Sequence, residues 1–510
     1  MGHCVRRLGI VACLVIPPRL WAQLPPVGVP AGTVRVELDG SLETFDQRFR
    51  NGQREGYGAD LSSPALGSDR MPSLADADAR IARIINNPTY RLNLGALSVD
   101  ALADIGQGGF GLGLGLTKNI TIFGRIPLVL TRVQSHLVLN SANADGGLNP
   151  GVTGQLPFFG EFDAALATLS TKLAAGDYNA DPAQRALAEA TLAEGTALRS
   201  DLFGLLVDPV TASPVVPTVT STTGAAVLAR IEGLQNTLAS SLAVPGFVAD
   251  PVLPADLLGE DGLMQVLSNS LALRVGETSV TFRGDAEAGA AITLIDRWDR
   301  GPGRGGFRAA VSGLVRFPTG SRERPDHPLD IGTGDGQTDI QIDLVTDLGT
   351  GAFGARLAGR YLRQLPSDIL ARVTPPSQPF VGRDRLALVH RDPGDIIAID
   401  VRPFFRLART LALQTGVQYW NRTADQVTYA SPSVAIPGID AGVLAEESAA
   451  NAALLSAGIT YSNPGRYTRG GTGLPVDASW SYERVVRSKK GRVPDTHRVQ
   501  AMLRLYFGLW

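Results

Sequence analysis

The side chains able to do chemistry are scattered along this chain. Beyond the N-terminal segment the histidines are His136, His327, His390 and His497, far apart in sequence. There is no Gly-x-Ser-x-Gly elbow, no His-Glu-x-x-His pair and no run of clustered metal ligands. Gly106 to Gly111 and Gly301 to Gly306 both match Gly-x-Gly-x-x-Gly. A dinucleotide site needs a strand before that motif and a helix after it, whereas both stretches open into strand-like sequence. Asp330-Ile331-Gly332-Thr333-Gly334-Asp335-Gly336 is rich in glycine and aspartate but lacks an acidic residue at each regular calcium-ligand position. No catalytic, cofactor-binding or metal residue is expected, and the chain does not read as an enzyme.

The regular feature is instead a set of charges at even spacing. Within Asp395 to Arg406, Ile397, Ile399 and Val401 fall on one side while Asp400, Arg402 and Arg406 fall on the other. The same alternation places Arg308, Arg316, Asp339, Asp343, Arg356, Arg360, Asp477 and Glu483 on the polar side of their segments, with Arg125, Asp285, Glu287 and Arg504. An arginine facing the lipid midplane costs about 2–4 kcal/mol, so such residues must face water, a plug or one another. Both signs are present. Two chemistries fit: cross-strand ion pairs that brace a wall, or a hydrated path for polar or amphiphilic solutes.

The elements that carry these charges have period two. The chain ends in one of them: Val499, Ala501, Leu503, Leu505, Phe507 and Leu509 alternate with residues that are mostly polar, small or aromatic. Counted back from Trp510, this apolar register is one residue out of phase with the usual C-terminal assembly signal. In Gly111 to Leu116, glycine and leucine alternate strictly, so that one face leaves room for another backbone. Twelve strands are expected: Thr33 to Phe49, Asp104 to Leu116, Ile120 to Val133, and then 283–297, 305–317, 337–347, 351–363, 395–406, 410–423, 449–462, 474–486 and 496–510. Connections alternate between short (Thr117 to Asn119, 299–304, Leu348 to Thr350, Leu407 to Arg409, with 463–473 of middling length) and long (50–103, 134–282, 318–336, 364–394, 424–448). Short periplasmic turns, long outer loops and an even strand count are the grammar of a transmembrane β-barrel. The fold class expected is therefore all-β, an antiparallel transmembrane barrel of about 12 strands (12–14).

Composition fits. The chain has 510 residues, 47 basic against 49 acidic for a net charge of −2, and no apolar run long enough for a helical span. The balance offers no basic tail for nucleic acid. Residues 1–22 read as a signal peptide, with Arg6 and Arg7 before the apolar run Leu8 to Ile16 and cleavage after Ala22. Cleavage would remove Cys4 and Cys13, the only cysteines, as suits an oxidising periplasm. Residues 23–133 begin the barrel, 134–282 form an insertion and 283–510 complete the barrel. The insertion breaks the period: Phe162, Leu166, Leu169 and Leu173 share one helical face, Asp181-Pro182 is a helix-start signal, and a third helix is expected near Gly224 to Ser240. A short helix is expected over Leu74 to Ile85. The insertion would act as an extracellular cap or as a plug.

A strand ending in Arg316-Phe317-Pro318-Thr319-Gly320, followed by the Gly332-Thr333-Gly334 stretch and another alternating strand, resembles an outer-membrane family. That family is labelled as a meta-pathway phenol-degradation component and is similar to the long-chain fatty-acid channels. Leu116-Thr117-Lys118-Asn119-Ile120 after a glycine-rich strand resembles its first hairpin. The resemblance covers roughly 100–134 and 283–510 and implies a bacterial outer-membrane channel for passive uptake of small solutes, hydrophobic ones included. Its expected partners are the outer-membrane bilayer, the barrel-assembly machinery and a small-molecule solute. The chain departs from the resemblance in its helical insertion, which is not part of the pattern, and in its strand count, since the fatty-acid channels have two more strands and an N-terminal plug. An alternative reading is a surface protein anchored by the barrel, with the insertion as its binding module.

Overall fold

The computed structural model describes residues 27–298, 305–408, 410–463 and 475–509. The signal-peptide reading and the phase of Trp510 lie outside these residues. Twelve antiparallel strands form a closed ring: β1 (Thr33–Phe45), β2 (Ala96–Gly115), β3 (Ile120–Asn140), β4 (Ala286–Trp298), β5 (Gly306–Phe317), β6 (Asp339–Thr350), β7 (Phe353–Gln364), β8 (Ile396–Arg406), β9 (Leu411–Arg422), β10 (Ala450–Asn463), β11 (Val476–Arg487) and β12 (His497–Gly508). Each strand pairs with its sequence neighbours, and β12 closes onto β1 from Thr33–Gly508 to Thr44–His497. Closure satisfies every strand edge, which a lipid-bathed sheet requires.

Period two explains the wall. Ile340, Ile342 and Leu344 on β6, and Ile397, Ile399 and Val401 on β8, point outward and are exposed, while the residues between them are buried. Phe353, Phe405, Tyr461 and Phe507 ring the end with the short turns, and Phe317, Tyr361 and Tyr419 lie toward the other. Two aromatic girdles around an apolar band are how a barrel meets its bilayer, so this is a membrane-spanning barrel of the outer-membrane type. The short-turn end, which also carries both ends of the described chain, is periplasmic on that rule.

Two strands run past the bilayer. The outward face of β3 is apolar from Ile120 through Leu130 and then turns polar at Arg132, which pairs with Glu277 at 2.7 Å. About eleven residues therefore cross lipid, the length a tilted strand needs, and the rest of β3 stands above it with β2. Thr278–Arg283 pairs with the upper part of β3 and is broken from β4 by Gly284-Asp285. The register between these pairings slips by one residue, a bulge that re-aims a side chain.

The insertion is a cap on this extension. Its helices are α2 (Gln155–Ala175), α3 (Pro182–Leu206), α4 (Thr222–Asn236) and the short α5 (Glu260–Gln265), and α1 (Ala75–Ile84) from the first long loop packs with them. Asp181 caps α3 by accepting from the N–H groups of Ala183 (2.9 Å) and Gln184 (3.3 Å), with Pro182 in the first turn. Phe158, Phe162, Leu169, Leu202, Ile231 and Leu238 are fully buried in one apolar core that continues into the inward residues Val99, Ala103 and Ile105 of β2. The cap is thus seated on the upper inner wall of the barrel.

Candidate functional site

The barrel interior is a lattice of ion pairs. Arg308 and Arg356 both reach Asp347, at 2.5 and 2.7 Å. Arg360 reaches Asp343 at 2.5 Å, and Gln341 donates to the other oxygen of that carboxylate. Arg316 sits between Asp339 (2.5 Å) and Glu287 (3.3 Å). Arg402 holds Asp400 on its own strand at 2.9 Å. Asp477 accepts from Tyr506 (2.5 Å) and Ser462 (2.6 Å), and Glu483 accepts from Arg498 at 3.3 Å. Arg406 lies over the Trp298 ring, 5.0 Å from its centroid, near the periplasmic rim. The charged positions picked out by alternation thus fall in several groups around the interior rather than in one cluster.

Sequence reasoning passed over part of the lattice. On β1, Arg35, Glu37, Asp39 and Glu43 face inward; Arg504 donates to Glu37 at 2.6 Å and Arg498 donates to Glu43 at 2.6 Å. The signal was present, since Arg35, Glu37 and Asp39 alternate with Val34, Val36 and Leu38. Asp347, the shared acceptor of two arginines, was reachable the same way.

The glycines of β2 make one of these links possible. Arg125 on β3 and Asp39 on β1 form a bidentate pair at 2.6 and 2.7 Å, although β2 lies between them. The bridge passes over Gly109, where an added Cβ would lie 2.1 Å from the Arg125 guanidinium. Lower down, the chain before β1 runs inside the barrel. Val29 N–H donates to Thr121 Oγ1 at 2.8 Å, and a Cβ on Gly115 would strike the Pro30 carbonyl at 2.0 Å. Val27 is buried against Ala291, Ala310, Val345 and Ala358 on the inward faces of β4, β5, β6 and β7. The close backbone approach that the glycine face allowed for is this N-terminal segment.

The extracellular mouth is narrowed by the segment between β5 and β6. Thr333 N–H donates to the Ser321 carbonyl (2.8 Å), doubling the segment on itself. Thr131 on the inner wall of β3 donates to the Ile331 carbonyl (2.9 Å), and Thr278 donates to Asp330 (2.8 Å). Gly320 and Gly334 touch: a Cβ on the former would lie 2.7 Å from the amide nitrogen of the latter. That is the physical reason for the Pro-Thr-Gly and Gly-Thr-Gly runs.

Among the described residues two cavities lie along the inner wall, and a third, of about 750 Å³, lies near the short-turn end between Leu348, Phe353, Phe404 and Leu413. One of about 410 Å³ lies under the mouth, lined by Asp285, Glu323, Gln337 and Arg422 among others. The second, of about 140 Å³, lies mid-barrel between Arg35, Asp39, Arg125, Asp343 and Arg504. Arg316 and Glu287 line both, so the cavities meet at that ion pair. Among the described residues, no group of three or more His, Cys, Asp or Glu side chains is spaced to hold a metal ion. His390 pairs with Asp368 (2.8 Å) and His497 with the Tyr482 hydroxyl (2.7 Å). Gly106 to Gly111 lies within β2 and begins no helix, while 301–304 lies outside the described residues.

No protein-family model matches the chain, and no curated protein sequence does. Among solved structures it is similar to an outer membrane channel from Pseudomonas putida F1, with 10% identity and a TM-score of 0.43 over 95% of this chain and 100% of that one. A Pseudomonas aeruginosa FadL homologue is similar at 9% identity and a TM-score of 0.28, over 94% of this chain and 91% of that one. A TodX variant described as a monoaromatic hydrocarbon channel is similar at 9% identity and a TM-score of 0.29, over 94% of this chain and 91% of that one.

Proposed function

We propose that the protein is an outer-membrane channel for passive uptake of small solutes, hydrophobic ones included. The observation that carries this reading is the pair of cavities inside a closed, lipid-facing wall, meeting at Arg316 and Glu287. A barrel serving only as an anchor has no need of enclosed volume, and apolar side chains would fill it at lower desolvation cost than paired charges. On this reading a solute enters the upper cavity, passes the Arg316 pair and leaves where Val27 to Pro30 now lies. The charged lattice holds the wall open and keeps the path wet, while the apolar surfaces of Val129, Leu362 and Ile396 in the upper cavity take the hydrocarbon part of a solute.

The test is uptake into liposomes together with single-channel current, using full-length refolded protein. Wild type is expected to admit small solutes slowly, and Arg316→Ala, which removes the side chain between the cavities, to raise uptake several-fold. No uptake by either protein, with the folded barrel verified by its altered gel migration before boiling, would sink the proposal. The rival reading, a surface module on an inert barrel, is favoured by the cap's continuous apolar core. It expects removal of 141–277 to abolish a surface interaction and leave uptake unchanged.

A further inference from the structure

The upper cavity contains polar groups that the ion-pair lattice leaves over. Three of its carboxylates, Asp285, Glu323 and Asp335, have no arginine within ion-pair distance among the described residues. Asp285 accepts from the Gly320 N–H at 2.8 Å, and Asp335 accepts from the Gln337 N–H (3.0 Å) and Gln364 Nε2 (2.8 Å). Glu323 makes no hydrogen bond at all among the described residues, and its exposed side chain lines the cavity. The nearby cations are engaged elsewhere. Arg316 holds Glu287 and Asp339, Arg324 holds Asp330, Arg391 and Arg422 share Asp425, and Arg322 and Arg372 donate to backbone carbonyls.

Gln337 is the independent observation. It is 2% exposed, it lines the cavity, and neither its Oε1 nor its Nε2 has a hydrogen-bond partner. A buried amide with both halves unmet is costly and uncommon in a folded chain. Here it asks for a molecule that both donates and accepts. The carboxylates ask for a cation, and among the described residues they form no group able to hold a metal ion. Val129, Leu362, Ile396 and Leu444 add hydrocarbon to the lining of the same cavity.

We infer that this cavity binds small amphiphilic cations: a protonated amine with a neighbouring hydroxyl or carbonyl, carried on a short hydrocarbon body. The ammonium pairs with Glu323 in the negative field of Asp335 and Asp285, the ligand oxygen accepts from Gln337 Nε2, and the chain lies against the apolar lining. The inference names a solute class for the channel and so rests on that reading, although binding itself needs no transport.

Calorimetry on the detergent-solubilised full-length protein tests it, with 2-amino-1-hexanol as the probe and n-hexanol and hexanoate as comparators. The amino alcohol is expected to bind at least about tenfold tighter than either, as charge-assisted hydrogen bonds to carboxylates imply. Glu323→Gln and Gln337→Leu should each weaken it by a similar factor, and Glu323→Asp should recover part of the loss, all with wild-type gel migration. Equal binding of the three probes, or affinity untouched by both substitutions, overturns the inference. So does saturable calcium binding that excludes the amine, which would make the site a metal site. Liposome uptake separates this inference from the channel reading. Selective amine binding with no single-channel current and no liposome entry of a bilayer-impermeant sugar keeps the site and removes the channel; entry of that sugar with no amine preference in binding does the reverse.

Discussion

Asp39 and Arg125 are 86 residues apart in sequence and two strands apart in the wall, yet they form a bidentate pair because Gly109 leaves their path clear. Removing one partner of an enclosed pair strands the other charge, so Asp39→Asn is expected to destabilise the barrel by about 2–3 kcal/mol. Gly109→Val should do similar damage through the same bridge. Combined with Asp39→Asn, it should add much less than its single effect, because the bridge is already gone. Urea unfolding of the single and double variants in detergent checks this; fully additive losses would mean that Gly109 acts on something other than the bridge. At this scale the sequence was partly legible. Alternation says that Arg125 points inward, as it does for Asp343 and Arg360. It cannot say which carboxylate each arginine finds, because pairing depends on strand neighbours and on which residues between them lack a side chain. Arg35, Glu37 and Asp39 obey the same alternation, so leaving them out was an omission of reading rather than of signal.

The strands were the most legible elements, because a wall with lipid on one side and charge on the other writes its period into every segment. The hairpin after Leu116 falls where the sequence places it. The turn after β6 is displaced: Leu348 to Thr350 belong to the strand, and the chain reverses at Gly351, with φ +56°. β2 and β3 run farther than expected, since their upper halves pack under the cap and alternate for a different reason, apolar inward and polar outward. The inward fold of the segment between β5 and β6 was not legible, as it depends on contacts such as Thr131 with Ile331 that join distant parts of the chain. Because Gly320 packs on Gly334, Gly334→Val should force that segment out of the mouth and raise single-channel current; unchanged current would show that the narrow point lies deeper. Another outer-loop element predicts a pH response. Asp60 accepts from Arg48 (2.7 Å), Arg50 (3.3 Å) and Arg492 (3.0 Å), and Glu447 accepts from Arg50 (2.9 Å) and Arg492 (2.7 Å). Both sites are partly desolvated, but these arginines outweigh that and hold both carboxyls below their ordinary values of 3.8 and 4.5. The stabilisation is therefore complete above about pH 5 and is lost as pH falls through the lowered values. Protease nicking of 423–449 should be equal at pH 7 and pH 5 and rise below pH 4; a rise that begins between pH 7 and pH 5 would place the linkage elsewhere.

For the whole molecule the decisive question is what closes the periplasmic end. The wall is continuous, and the segment from Val27 to Pro30 lies inside it against β2 and β3 toward the short-turn end. Among the described residues that segment is held by hydrogen bonds in both directions between Val29 and Thr121, by the apolar patch around Val27, and at its end by Thr33 N–H to the Pro30 carbonyl (3.2 Å) and Gly32 N–H to the Gly115 carbonyl (2.9 Å). Such a segment can leave without disturbing the ring, because β1 begins only at Thr33. Signal cleavage after Ala22 would leave a chain without cysteine, so a single disulfide can be engineered cleanly. A Cβ built on Gly113 would lie 3.4 Å from a Val29 methyl, within the reach of a disulfide. In a Val29→Cys, Gly113→Cys variant, oxidation is expected to pin the segment and suppress solute uptake, and reduction to restore it to the level of the reduced control. Gly113→Cys alone should show no redox response. Uptake indifferent to the crosslink, once the disulfide is demonstrated by mass, would mean that solutes leave through the wall and not past this segment. The pair of cavities would then be a route from the outer surface into the bilayer plane, not into the periplasm.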